Sequence, residues 1–390
     1  MARSTDALLQ RLLERIEHEL PRAVELRHRL HANPERAHLE SWTAQTVAAE
    51  LPIPVAEAAG TGRLARIGRP EGPAVAVRAE LDGVPVRERT GAPFSAAGET
   101  MHACGHDVHM AALVALARAA SELDAHLPAA LLAVFQPSEE AYPSGAEQLA
   151  DGELAALAPS AVVAAHVHPE LAWGTVALDA GVVNASCDAF EIAIEGEPSH
   201  GAYPHRGRDP ILAVSEIVLA LHARVGRRID PLAMVSLTVG VLDAGSAENV
   251  IPAKARALGA LRAHRSEDRL ALRELVEQVA AGVSAAHGCS AEVTIVPGEP
   301  ALANDLAIAE RGRSLLAHAG LTEAPAWRSC GSDDFAFFGR LAPLAMAFVG
   351  LDGAQGFVSR PLHHPELLVP DAAVRAVART QACLYLAAAE

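Results

Sequence analysis

Along the first part of the chain, apolar positions interleave with Arg and Glu at helical spacing. This pattern predicts an amphipathic helix over Thr5–Ala32, interrupted near Pro21, and it does not read as a signal peptide. A short, mostly apolar run, Ala74–Ala79, follows and ends in Glu80 and Asp82. After a loop, a helix is expected from about Val108 to Leu123. A second run, Ala130–Phe135, leads straight into Gln136-Pro137-Ser138-Glu139-Glu140, and a third, Ala161–Ala165, ends at His166. Apolar runs of this length separated by helices predict a largely parallel α/β sheet buried on both faces. Ligands of such sheets bind at the carboxyl ends of the strands. Asp82, Glu139, Glu140 and His166 are all expected just beyond such an end.

From Cys187 to about Pro297 the periodicity changes. Phe190, Ile192 and Ile194 alternate with polar or small residues, as in a half-buried strand. Asp209-Pro210 carries a helix-start signal, and two strand-like stretches follow, Met234–Leu242 and Ala255–Ala263. Ser266 opens another helix and Ala291–Val296 closes with a strand. The order β-α-β-β-α-β is that of a ferredoxin-like unit. The expected organisation is a metal-binding catalytic domain over residues 1–183 and 299–390, with 184–298 inserted as a lid or dimerisation domain.

Composition narrows the partners more than the chemistry. The 390 residues are 51% hydrophobic and 21% charged, ordinary for a globular chain. A net charge of −16 argues against nucleic acid or an anionic membrane surface as partner. No apolar run reaches membrane-spanning length. Five scattered cysteines do not suggest a disulfide framework, and a reduced, cytoplasmic setting is expected.

The densest chemical signal is Met101-His-Ala-Cys-Gly-His-Asp-Val-His-Met110. Only Gly105 separates Cys104 from His106, so thiolate and imidazole can converge on one ion. An isolated Cys-x-His is usually an ordinary polar loop. Here Glu139 and Glu140 stand at a strand end, where one carboxylate could bind metal and the other take a proton from water. His166 and the Pro-bounded His363-His364 pair complete four sites with ligand chemistry.

These motifs, with Arg27-His28-Arg29-Leu30-His31-Ala32-Asn33-Pro34-Glu35, Arg78-Ala79-Glu80-Leu81-Asp82-Gly83-Val84-Pro85, Ser199-His200-Gly201-Ala202-Tyr203-Pro204-His205, Asn249-Val250-Ile251-Pro252 and Gly331-Ser332-Asp333-Asp334-Phe335, resemble the metal-dependent aminoacylase and amidohydrolase family. That family, part of a two-metal peptidase clan, includes hippurate hydrolases, indole-acetyl-amino-acid hydrolases and N-acetyl-diaminopimelate deacetylases. The resemblance spans nearly the whole chain. It implies hydrolysis of small N-acyl amino acids by two divalent ions (Mn²⁺, Zn²⁺, Co²⁺ or Ni²⁺). Cys104, His106, Glu140, His166 and His363 would be the ligands, and Glu139 the general base. His200 would donate to the oxyanion, from its own or a neighbouring subunit. Asn249 and Arg262 would hold the substrate carboxylate, and Asp82 would orient a ligand histidine. A homodimer or homotetramer is implied.

Two departures from the family pattern stand out: Arg36-Ala37-His38 after the first Pro-Glu, and Ala253-Lys254 after Asn249-Val250-Ile251-Pro252. His363 is preferred to His364 because the family places its ligand two positions before the proline. Two other readings compete: a thiol hydrolase with Cys104 as nucleophile and His106 or His109 as base, and a non-catalytic binding homologue. The first leaves the Glu pair and His363 unexplained, and the second leaves an intact ligand set without a use.

Overall fold

A computed structural model describes residues 2–390. They divide into two compact units. One comprises the chain up to Gly181 together with Ala303–Trp327 and Phe337–Glu390, and the other comprises Val182–Leu302 with Arg328–Ala336. The short segment Arg328–Ala336 therefore groups with the second unit, whereas the sequence reading assigned it to the catalytic domain.

In the first unit four parallel strands form the centre of an eight-stranded sheet. Their order is Ala130–Gln136, Ala74–Glu80, Ala161–Ala172 and Leu344–Asp352. Antiparallel pairings flank them, through Gly62–Ile67 on one side and Thr175–Ala177 on the other. Every residue of Ala74–Glu80 and Ala130–Gln136 is buried, which is why these strands read as mostly apolar runs, with Arg78, Glu80 and Gln136 as the buried polar exceptions. Val75, Val77, Leu131, Ala133, Val163, Ala165 and Ala347 pack in one cluster with the helices Ala2–Ala32, His106–Ser121 and Ala372–Ala388.

Two expectations need correction. The first helix is not interrupted at Pro21; it runs unbroken from Ala2 to Ala32 with the proline inside it. Pro21 is exposed, while Leu9, Leu12, Ile16, Leu20, Ala23, Leu26 and Leu30 are buried on both sides of it. Packing of that stripe holds the helix through the lost hydrogen bond. His166 also does not follow a strand end, because its strand continues to Ala172. The neighbour Ala74–Glu80 pairs only as far as Arg78 opposite Ala164, and beyond that level the strand is held by Leu344–Asp352. His166 thus stands just beyond the point where Ala74–Glu80 stops pairing with its strand. The strand Leu344–Asp352 and the helix Ala372–Ala388 were not predicted individually.

The second unit is an antiparallel four-stranded sheet ordered Val235–Ala244, Lys254–Ala263, Ser186–Glu195, Ser290–Pro297, with helices Pro210–Arg228 and Ser266–Ala286. This is the β-α-β-β-α-β arrangement. The Asp209 carboxylate accepts the N–H of Ile211 at 2.9 Å, with Pro210 as first helical residue.

A buried ionic cluster ties the first helix to the helix that opens at His106. The Arg27 guanidinium donates to Asp107 at 2.7 Å, to Asp371 at 2.8 Å and to the Val369 carbonyl at 2.8 Å. His31 faces Asp107 through Nδ1 at 2.9 Å and Glu88 through Nε2 at 3.1 Å. Burial opposes charge on His31, but these carboxylates outweigh it and hold the pKa up to about 9 against an ordinary 6.5. A raised value means stabilisation that is complete below about pH 6.5 and fades as pH climbs through about 9. The gap is worth roughly 3 kcal/mol. The melting temperature of His31→Gln should therefore fall furthest below wild type at about pH 6 and converge on it above about pH 9. A gap independent of pH would refute the assignment.

Candidate metal centre

Cys104 and His106 flank a glycine that no other residue could replace without strain. Gly105 has φ +86°, and a Cβ there would meet Val167 Cγ2 at 2.5 Å. His106 begins its helix, and its Nδ1 donates to the Asp82 carbonyl at 2.8 Å, leaving Nε2 as the lone-pair nitrogen. That Nε2 is buried and has no hydrogen-bond partner among the described residues. It lies 3.8 Å from Glu139 Oε2 and 4.0 Å from Glu140 Oε1. His166 is oriented the same way: Nδ1 donates to the Val167 carbonyl at 2.7 Å, and Nε2 faces Cys104 Sγ at 3.5 Å.

Glu139 and Glu140 follow the strand Ala130–Gln136. Their amides donate to the two carboxylate oxygens of Asp82, at 3.1 and 2.9 Å. Asp82 therefore acts twice, turning His106 with its carbonyl and seating the glutamates with its side chain. Burial pushes its carboxyl up to about 6, against the pull of His106 and the two amides.

His363 arrives from the C-terminal loop. Its N–H bonds the Ala103 carbonyl at 2.8 Å, and its backbone is left-handed, at φ +66°. Nε2 comes within 3.1 Å of Glu140 Oε1, although off hydrogen-bond geometry, so that this oxygen too is buried without a hydrogen bond. His364 instead accepts the Glu366 N–H on Nδ1 at 3.1 Å.

One ligand atom each of Cys104, His106 and Glu140 lies within 4.8 Å of the others, and the same holds for Glu80, His106, His109 and His166. The electrostatics match a site built for positive charge. Burial would lower His106, yet Glu80, Asp82 and Glu140 outweigh it and raise its pKa. Burial would raise Glu140, yet the imidazoles of His363 and His106 bring it down. His166 is held well below the ordinary value by burial and by His109, so it is neutral, as a ligand must be. His106 Nε2 and Glu140 Oε1, buried without hydrogen bonds, group with the Cys104 thiol, and this set of imidazole, carboxylate and thiol donors fits two divalent ions.

His109 stands outside the ligand set that the family resemblance implies, yet it groups with Glu80, His106 and His166. Its Nδ1 donates to Glu80 at 2.8 Å and its Nε2 accepts the Val167 N–H at 3.0 Å, so both nitrogens are engaged. It braces the strand carrying His166. The available signal was its spacing, one helical turn beyond His106.

His200, Asn249 and Arg262 lie in the second unit. The first two are drawn together by a two-stranded ladder, Ser199–His200 against Val250–Ile251, where Gly201 N–H bonds the Asn249 carbonyl at 2.8 Å. His200 Nδ1 accepts the Ala202 N–H at 3.1 Å, which places the proton of the neutral ring on Nε2, as a donor. Arg262, on the strand Lys254–Ala263, donates to the Cys330 carbonyl at 3.0 Å and the Ser332 hydroxyl at 3.3 Å.

Known proteins resemble this chain over most of its length. The chain is 37% identical over 316 residues to an N-acetyl-L-cysteine deacetylase of Bacillus subtilis, covering 80% of this chain and 74% of that protein. It is 32% identical over 351 residues to an N-acetyldiaminopimelate deacetylase of Halalkalibacterium halodurans, covering 86% and 92%. Among solved structures, a dinuclear metal binding peptidase of the M20 family from Bacillus subtilis superposes with a TM-score of 0.82 at 29% identity. The match covers 95% of this chain and 98% of the other. The profile of peptidase family M20/M25/M40 matches residues 76–385, and the chain belongs to that family.

Proposed function

We propose that this protein hydrolyses the amide bond of small N-acyl amino acids with the help of two divalent ions. The carrying observation is the buried, hydrogen-bond-free Nε2 of His106 and Oε1 of Glu140, set beside Cys104 and within reach of a second carboxylate. Cys104, His106, Glu140, His166 and His363 hold the ions, with Mn²⁺, Zn²⁺, Co²⁺ and Ni²⁺ all compatible with such donors. When bound, the ions supply Lewis acidity, polarising the scissile carbonyl and acidifying the attacking water.

Glu140 belongs to the ligand group, and Glu139 stands beside it, so the two carboxylates divide the work. Glu139 takes the proton of the attacking water and delivers it to the leaving nitrogen. His200, whose Nδ1 accepts the Ala202 N–H, donates from Nε2 to the oxyanion, and Asn249 and Arg262 hold the substrate carboxylate. Replacing His200 with alanine should lower kcat about a hundredfold with metal content unchanged. Loss of metal in that variant would mean that His200 is a ligand. Residues 1–183 with 299–390 serve as the catalytic domain and 184–298 as lid or dimerisation domain, in a cytoplasmic homodimer or homotetramer. Among the described residues no helix is long and apolar enough to cross a membrane. The five cysteines are free, which accords with a reducing compartment.

The Cys104–His166 contact at 3.5 Å also suits a thiol hydrolase. Exhaustive chelation separates the two readings. Hydrolysis of N-acetyl, N-benzoyl and longer N-acyl amino acids should vanish on chelation and return with one of the four ions. Activity that survives with no metal bound would exclude the metal mechanism.

A further inference from the structure

We propose that Glu40 is a positioning residue for the turn that carries Glu139, an inference resting on Glu139 being the base. Three consecutive amides of that turn, those of Ser138, Glu139 and Glu140, donate to two carboxylates. Asp82 takes the last two, and Glu40 Oε1 takes the Ser138 N–H at 2.8 Å. Glu40 is fully buried, and its other oxygen accepts the Thr61 hydroxyl at 2.7 Å.

The local role open to Glu40 is left to another residue. It occupies the N-cap position of the helix Ser41–Glu50, yet its side chain makes no capping bond. Glu35 caps that helix instead, accepting the Thr43 N–H at 2.7 Å. Glu40 is thus released to reach a turn 98 residues away in sequence.

What it holds there is strained. Ser138 is left-handed at φ +50°, a conformation that a side chain adopts only when its surroundings impose it. Its hydroxyl accepts the His38 N–H at 2.9 Å and lies 2.9 Å from His38 Nδ1 and 3.3 Å from Glu40 Oε1. The departure from the family pattern at Arg36-Ala37-His38 therefore supplies part of the same clamp. On the far side Gly145 closes against the turn, where a Cβ would meet the Pro137 carbonyl oxygen at 1.8 Å. Without Glu40 the Ser138 amide is buried unpaired, the strained turn relaxes, and the Glu139 carboxylate shifts. A displacement of about 1 Å at a reacting group costs on the order of a hundredfold in rate.

The test is a double-mutant cycle on the metal-loaded, full-length protein, reading kcat per metal-loaded molecule, KM and bound metal. Glu40→Ala should lower kcat about a hundredfold, with KM and metal content within about twofold of wild type. Glu40→Gln keeps an acceptor for the Ser138 N–H and should recover most of that loss. In a Glu139→Gln background Glu40→Ala should cost nothing further, because the group it positions is gone. Should Glu40→Ala fail to fold, Ser138→Ala carries the same cycle with an expected loss of about tenfold. Additive losses, a fall explained wholly by missing metal, or no rescue by glutamine would overturn the proposal. An active wild type with an equally active Glu40→Ala overturns the positioning role alone. An inactive wild type overturns the hydrolase reading with it.

Discussion

Glu139→Gln should bind metal like the wild type and turn over at least about a thousandfold more slowly, within the range general acid–base groups supply. The substitution is isosteric, so the backbone bond from residue 139 to Asp82 survives. The ligand group of Cys104, His106 and Glu140 does not include the replaced side chain. What disappears is the only function glutamine cannot imitate, holding a proton between the attacking water and the leaving amine. Metal analysis and single-turnover kinetics on N-acetyl amino acids check both halves. Near-wild-type turnover would remove Glu139 from the mechanism. Loss of metal would place it among the ligands and reopen the division of labour with Glu140.

The second large effect is on stability. Arg27→Met should destabilise the protein by about 3–5 kcal/mol, the cost of removing one partner from a buried ionic cluster. Arg27 is 1% exposed and donates to two carboxylates and a carbonyl, none of which methionine can satisfy. Asp107, held below the usual carboxylate range by Arg27 and His31 against the penalty of burial, loses its main support. Folded domains commonly have only about 5–15 kcal/mol in hand, so the variant should unfold at markedly lower denaturant. An unchanged midpoint would show that the cluster contributes little.

How much of this was legible beforehand depends on the range of the interactions involved. The parallel strands declared themselves because strands buried on both faces are mostly apolar. The second unit declared itself through alternation and the Asp209-Pro210 helix start. Cys104, His106, Glu139 and Glu140 were visible because ligand chemistry was concentrated in short stretches. The failures were all non-local. Pro21 looks like a helix breaker until the buried stripe on either side is seen to hold. The strand through His166 looks finished until Leu344–Asp352 is known to pair with it. His109 and Glu40 act through partners far away in sequence; helical spacing from His106 is the one local mark of the first, and no local pattern marks the second.

The position of His363 has a consequence for how the protein is made. Its backbone docks on Ala103, and the helix Ala372–Ala388 packs in the same cluster as Ala2–Ala32. As the chain leaves the ribosome, the early strands and first helix emerge long before the segments that cover them. Apolar surface left waiting in this way is prone to aggregation and suits chaperone capture. Under the proposed ligand set, the site would be complete only once His363 has emerged and docked on Ala103.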